Sequence, residues 1–341
     1  MEFITVLLPV FNGASFIERA LKSILGQSYP YFSLLIIDDG STDNTAAVLA
    51  EASKKDHRIK VHYNRKNLGL IHTLNLGINL ANTDLIIRAD VDDYSLPERF
   101  IKLVNFMKKN PDVGICGSWL EYNNGRDYVQ QKYPHNHNDI KFSFIRGCYF
   151  SHGTAILRKS VVTKNQIFYN PEFPHAEDYE WLTRLTKVTK LANLPEILYE
   201  VTIHDQQVSY KYRDVQIQNT NLVRTKFVEQ ELMLELTQRQ KNIYLWLLTW
   251  APKPTEVTLD EVYHLISNFQ SANQKTKAFA DQCFAQFLQE LWKRAVIFNN
   301  RRSLSTLRLV FSSKFPFVGT FSFGEKFKII FKIILKPLKE N

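Results

Sequence analysis

Cysteine is scarce in this 341-residue chain, limited to Cys116, Cys148 and Cys283. Three scattered thiols exclude a disulfide framework, and no CxxC or Cys/His spacing suggests structural zinc. Long apolar runs are also missing. The longest, around 243–252 and 327–335, fall short of the ~18 residues of a spanning helix. Glu2 precedes a strand-like run, which is not the basic-then-apolar pattern of a secretory leader. These absences predict a cytoplasmic protein, or one attached to the cytoplasmic face of a membrane.

Excess charge is absent from most of the chain. Residues 1–290 hold 32 basic and 32 acidic groups, while residues 291–341 hold eleven Lys/Arg and two Glu, the whole net charge of +9. A nucleic-acid-binding body would carry its surplus along a groove, so no nucleic-acid partner is expected. A hydrophobic content of 45% with 13% aromatics excludes a disordered chain. Two nucleotide motifs are missing after the first apolar run. No GxGxxG follows it, against a dinucleotide dehydrogenase. Asn12-Gly13-Ala14-Ser15 has one Gly and no Lys or Arg, unlike the Gly-rich basic loop of a sugar nucleotidyltransferase.

What is present is an alternation of strand and helix signals. Apolar runs at 4–10, 32–37, 59–63 and 84–88 read as strands. Helical patterns fall at 16–25, 45–53 and 70–81, and another from Pro97 to 109. This order predicts a doubly wound, mostly parallel α/β sheet, with ligands beyond the carboxyl ends of the strands. Residues 113–200 are mixed, with strands at 113–122, 155–157 and 194–201 and a helix at 179–189. From 206 the chain turns helical, at 214–249, 257–270 and 275–299. The expected domains are 1–205, a helical region 206–300 and a basic tail 301–341.

The chemistry sits at the strand ends. Asp90-Val91-Asp92-Asp93 packs three carboxylates into four residues, which calls for a cation or a hydrogen-bond network. Such a cluster suits Mg²⁺ or Mn²⁺ shared with phosphates, or it is a solvated turn. Arg88 could face a diphosphate or balance the cluster. Asp38-Asp39-Gly40-Ser41-Thr42-Asp43 is a second acidic strand end; Gly40 allows a tight turn, and Ser41, Thr42 or Asp43 can cap the next helix. A carboxylate there can accept a uracil imide N–H. Phe11, in Pro9-Val10-Phe11-Asn12, could stack on a base or simply pack. Glu177-Asp178 reads as a general base pair or an acidic first helical turn.

The order Pro-x-Phe-Asn, Asp-Asp-Gly-Ser-Thr-Asp, Asn67-x-Gly69, Arg-x-Asp-x-Asp-Asp, His152-Gly153-Thr154 and Ala176-Glu177-Asp178-Tyr179-Glu180-Trp181-Leu182 resembles the family 2 inverting glycosyltransferases over about residues 3–205. The subgroup it resembles most builds bacterial capsule, exopolysaccharide and lipopolysaccharide chains. The resemblance implies a GT-A fold with a Rossmann-like nucleotide half. It implies a hexosyl or N-acetylhexosaminyl transferase using a nucleotide sugar, here a UDP-sugar, with Mn²⁺ or Mg²⁺. Pro9, Phe11, Asn12, Asp38, Asp39, Asn67, Gly69, Arg88, Asp90, Asp92 and Asp93 would hold the donor, with Asp39 on the uracil. Asp92 and Asp90 would hold the metal. Asp178 would be the general base, with Glu177 beside it; an aspartate needs no large pKa shift for that task. His152, Gly153, Thr154 and Trp181 would face the acceptor, a glycan or lipid-linked saccharide.

One motif departs from the family. Relatives carry Arg-x-His after the last strand, and here Thr202-Ile203-His204 stands there. His204 is a third candidate metal ligand or a surface residue. Phe327, Ile330, Phe331 and Ile334 share one helical face, and Lys328, Lys332 and Lys336 another. That basic amphipathic tail would dock on an anionic inner-membrane leaflet or pack on the protein. The helical region offers apolar faces that could pair two chains into a homo-oligomer. A membrane-peripheral scaffold that binds nucleotide sugar with little turnover is the alternative to an enzyme.

Overall fold

The computed structural model describes residues 2–204, 211–249 and 251–298. The tail expected at 301–341 lies outside them. The chain divides into two compact units, Met1–Arg224 and Thr225–Asn341.

The first unit opens as the alternation predicts. Strands β1 (Ile4–Val10), β2 (Phe32–Asp38), β3 (Ile59–Tyr63) and β4 (Leu85–Arg88) are joined by helices α1 (Ile17–Leu25), α2 (Thr45–Lys55) and α3 (Leu70–Leu80). They pair in parallel in the order β3-β2-β1-β4. Every residue of β1 is buried, as expected of a strand covered on both faces. Alternation splits its side chains. Ile4, Val6, Leu8 and Val10 join Ile17 and Leu21 of α1 and Phe100 and Leu103 of α4 (Arg99–Lys109) in the main core. Leu7 points the other way, toward α3, whose Gly77 has no room for a Cβ: it would lie 2.3 Å from Leu7 Cδ1.

The sheet continues as β8-β6-β9-β5, with β7 paired to β6. These strands are β5 (Tyr94–Ser95), β6 (Val113–Asn123), β7 (Tyr128–Gln131), β8 (Ile156–Arg158) and β9 (Lys190–Thr202). Here β6 and β9 run parallel, but β8 is antiparallel to both β4 and β6, and β5 to β9. The purely parallel pattern therefore stops at β4. Helices α5 (His137–Ser143), α6 (Lys159–Asn165) and α7 (Glu177–Leu185), and a 3₁₀ turn at His152–Thr154, complete this half. Helix α7 ends earlier than its sequence pattern.

A helical region follows. Helix α8 (Arg213–Leu232) contains the boundary between the units, which the sequence places at 205/206. The expected helix 214–249 is broken at Met233, in the left-handed region at φ 51°. Helices α9 (Gln238–Leu248), α10 (Leu259–Thr276) and α11 (Asp281–Phe298) follow. Capping boxes Thr237/Gln240 and Thr258/Glu261 start α9 and α10. Tyr244, Phe269, Phe287 and Trp292 form the buried interior of this second unit. Among the described residues no helix is long and apolar enough to cross a membrane.

Candidate active site

The carboxyl ends of β1, β2 and β4 open at one edge, and three loops there are held by side chains that sequence nominated as ligands. Asn12, at φ 51°, accepts the Thr42 N–H on Oδ1 at 2.8 Å, and its own N–H donates to Ser41 Oγ at 2.9 Å. Asp38 accepts the Ser41 N–H at 2.9 Å. None of the three candidate caps holds the N-cap position of α2, which is Asn44 without a side-chain cap bond; Asp43, one residue earlier, accepts the Thr45 N–H on Oδ1 at 3.0 Å. Asp39 is 3% exposed and organises the 64–69 loop. Its Oδ1 accepts from Asn64 Nδ2 at 2.7 Å and Leu68 N–H at 3.0 Å, and its Oδ2 accepts the Gly69 N–H at 2.8 Å. A carboxylate has about four lone-pair sites, so Asp39 keeps acceptor capacity. Asn67 Oδ1 also accepts the Gly69 N–H, at 3.0 Å. Pro9 is inside buried β1, paired with Ile37. Phe11 is 45% exposed at the mouth.

At the end of β4 lies the acidic cluster. The buried Arg88 guanidinium pairs with Asp90 Oδ2 through Nη1. Burial is the strongest influence on Arg88 and opposes its charge, but Asp90, Tyr199 and Tyr169 together outweigh it and Arg88 stays cationic. Burial raises the Asp90 pKa, against the pull of Arg88. Asp93 is pushed well up by burial first and then by repulsion from Asp90 and Asp92; its Oδ1 accepts the Thr202 N–H at 3.2 Å. Asp92 Oδ2 lies 3.1 Å from His204 Nε2, and the imidazole stacks on Phe16 with centroids 4.6 Å apart. His204 is thus a component of the cluster, not a free surface residue. Among the described residues, Arg88 Nε and His204 Nδ1 are buried without a hydrogen-bond partner.

Glu177 and Asp178 open α7. Asp178 Oδ1 accepts the Tyr179 N–H at 2.7 Å. Burial raises both carboxyls, and Glu177, further lifted by Asp178, is pushed up to about 7. Arg88 favours the ionised form of Asp178 while Asp90 opposes it, so the two acidic motifs share one electrostatic neighbourhood. His152 Nδ1 lies 3.3 Å from the Tyr169 hydroxyl, and burial depresses its pKa well below the usual range, keeping it neutral.

Two nominated acceptor contacts need correction. Thr154 is 0% exposed, its hydroxyl committed to Ser118 N–H and Ser151 O. Trp181 is likewise 0% exposed, its Nε1 donating to Ile167 O and its ring stacked on Tyr169. Both shape the site from beneath, with no surface for an acceptor. Gly153 has a different reason to be there: a Cβ would lie 3.0 Å from both Arg88 Nη1 and Asp90 Oδ2.

As for a metal, no group of three or more His, Cys, Asp or Glu residues suited to an ion stands together among the described residues. Asp90 Oδ2 is engaged by Arg88, which leaves Asp92 and His204 as an adjacent pair of donors. That pair suits a hard or borderline divalent ion that brings phosphate and water for its other positions. The sequence reading missed Asn64, Tyr169, Tyr199 and Arg99. Tyr199 accepts the Asp90 N–H at 3.0 Å. Arg99 had a legible signal: it is a basic residue in the first turn of a helix, where the dipole disfavours it.

Comparison with known proteins identifies the family and the fold. Residues 5–165 match the model of "Glycosyl transferase family 2". An uncharacterized glycosyltransferase of Haemophilus influenzae is 32% identical over 226 residues, covering 62% of this chain and 69% of that protein. The UDP-Gal:α-D-GlcNAc-diphosphoundecaprenol β-1,3-galactosyltransferase of Escherichia coli is 30% identical, with coverage of 58% and 73%. The crystal structure of S. aureus TarS 1–349 in complex with UDP-GlcNAc superposes with a TM-score of 0.57 at 18% identity, over 86% of this chain and 90% of that one. The fold is therefore GT-A, and the chain belongs to glycosyl transferase family 2 and is a glycosyltransferase.

Proposed function

We propose that this enzyme moves a sugar, with inversion, from a UDP-sugar to a hydroxyl of a growing lipid-linked bacterial surface glycan. One observation carries the reading. Two acidic motifs far apart in sequence, Asp90–Asp93 and Glu177–Asp178, are brought around one buried cation, Arg88. That arrangement gives a leaving-group side and a proton-accepting side.

Uracil would lie beside Phe11, its imide N–H donating to the spare acceptor capacity of Asp39. Asp178 takes the proton of the acceptor hydroxyl, whose oxygen then attacks the anomeric carbon opposite the diphosphate. The bond to UDP breaks as the new glycosidic bond forms, and UDP leaves with the electron pair. Glu177, titrating near neutrality, limits the charge crowded beside Asp178. Arg88 offsets negative charge developing on the diphosphate. Asp92 and His204 would hold Mn²⁺ or Mg²⁺, which supplies further positive charge for the departing UDP. Neutral His152 and the Gly153 backbone border the acceptor side.

The E. coli relative, whose name specifies a diphosphoundecaprenol-linked acceptor, supports a lipid-linked substrate. The charge of residues 291–341 supports attachment to an anionic cytoplasmic leaflet. A panel of UDP-sugars with synthetic polyprenyl-diphosphate saccharides, read as released UDP, tests the reading. Transfer with one pair is expected. No turnover with any pair, together with UDP binding in calorimetry, would favour the scaffold. Sedimentation with anionic liposomes that survives truncation near residue 300 would remove the tail from the model.

A further inference from the structure

Arg99 is buried to 0% exposure and, among the described residues, pairs with no carboxylate. A buried cation is expensive unless its surroundings compensate, so its contacts should reveal a purpose. Its Nη1 donates to Ser95 Oγ at 2.8 Å. Its Nη2 donates to two backbone carbonyls at once, Arg88 O at 2.6 Å and Gly153 O at 2.8 Å. Its Cζ lies 4.5 Å over the Tyr199 ring, a cation–π contact that is strongest when desolvated. The Tyr199 hydroxyl in turn accepts the Asp90 N–H at 3.0 Å.

Three separate stretches meet on this one side chain: the last residue of β4, the 3₁₀ turn at His152–Thr154, and, through Tyr199, the backbone of Asp90. Gly153 is the point of closest approach, its absent Cβ leaving room for the Arg88–Asp90 pair. We infer that Arg99 is a positioning residue that locks the acceptor-side turn 152–154 onto the donor-side end of β4. It touches no substrate. It fixes the distance between the group that faces the diphosphate and the loop that borders the acceptor. Lysine cannot replace it fully, because one ammonium does not reproduce the planar fork that reaches Ser95 and two carbonyls together.

The donor and acceptor labels rest on the proposed function; the physical linkage does not, and the test separates them. In the full chain, Arg99→Met is compared with wild type by hydrogen exchange, by UDP calorimetry with Mn²⁺, and by transfer rate. Exchange is expected to accelerate about tenfold or more in peptides spanning 88–94 and 150–156, and to stay unchanged in 4–10 and 32–38. UDP affinity should fall by only a few-fold while transfer falls by about a hundredfold, the scale of a small misplacement at a reacting centre. Arg99→Lys should recover part of the rate. Acceleration throughout the first unit, or equal loss of UDP binding and transfer, would make Arg99 a general fold residue and overturn the inference. So would unchanged exchange at 150–156. If Arg99→Met does not fold, Arg99→Lys carries the same comparisons, with smaller changes expected in the same peptides. A wild-type protein that binds no UDP would sink the proposed function and leave the exchange result to decide the linkage.

Discussion

His204 Nε2 lies 3.1 Å from Asp92 Oδ2, joining residues 112 apart in sequence. The ring is fixed by stacking on Phe16, and its other nitrogen, Nδ1, is buried without a partner among the described residues. An imidazole held this way beside a carboxylate would make the proposed pair of metal donors. Replacing His204 by Ala should raise the Mn²⁺ concentration for half-maximal transfer by about 10–100-fold, the scale seen when metal surroundings are disturbed. Asp92→Asn should do the same or more. Activity titrated against Mn²⁺ checks both; an unchanged requirement in His204→Ala would remove that histidine from the site.

Asp178 is the proposed proton acceptor, so its loss should strike the chemical step. Asp178→Asn keeps the shape and the acceptor for the Tyr179 N–H but loses basicity. Transfer should fall by about 10²–10⁴-fold, while UDP binds as in wild type. Single-turnover rates and calorimetry on one preparation give both numbers. Full turnover would end the assignment.

Glu177 makes a prediction about pH. Its folded pKa, raised by burial and by Asp178 to about 7, exceeds its ordinary 4.5. The folded state therefore holds the proton more tightly than the unfolded state. Its contribution is unimpaired at low pH, and stability is lost as pH rises through the window from 4.5 to about 7. Glu177→Gln should flatten that slope and be more stable than wild type above neutrality by on the order of 2 kcal/mol. Removing this neighbouring charge also eases ionisation of Asp178, so the acid limb of kcat/KM should move to lower pH. Urea denaturation and pH–rate profiles at matched pH values test both; an acid limb that stays in place would mean that the two carboxyls titrate independently.

Strands β1, β2 and β4 were legible because each is a largely buried apolar run that ends in turn-forming or acidic residues; β3, with only Ile59 buried, showed by its place in the alternation, and the two-residue β5 was not legible. The direction of β8 was not legible: Ile156–Arg158 reads the same whichever way it pairs, and only its neighbours β4 and β6 decide. The break at Met233 hid inside a helical pattern, although the Thr237/Gln240 capping box spells out a new start. Site residues at strand ends could be named from motif order. Their burial could not, so Trp181 and Thr154 looked like ligands. Tyr199 was missed because a hydrogen bond to a backbone amide leaves no sequence pattern; Arg99 showed only as a basic residue misplaced in the first turn of α4, and its carbonyl partners left no pattern.

Gly40 gives the last test, and it probes how the donor loops are supported. Its φ of +72° lies in the left-handed region, and a Cβ there would sit 2.5 Å from the Lys66 carbonyl carbon and 2.8 Å from Asn67 N. Backbone cannot swing aside as a long side chain can, so Gly40→Ala must displace the 64–69 loop as well as strain its own φ. The left-handed conformation alone costs about 1–2 kcal/mol, and overpacking adds about 1–3 kcal/mol. A loss on the order of 2–5 kcal/mol is expected, visible as a lower urea midpoint. The same displacement pulls Leu68 and Gly69 from the Asp39 carboxylate, the proposed uracil acceptor. UDP affinity should therefore fall with stability in Gly40→Ala. Gly125→Ala is the control: that residue also has positive φ, at +81°, but its Cβ would meet nothing within 4 Å, so it should lose about 1–2 kcal/mol and keep its UDP affinity. If Gly40→Ala binds UDP as well as Gly125→Ala does, the loop held by Asp39 does not support the nucleotide.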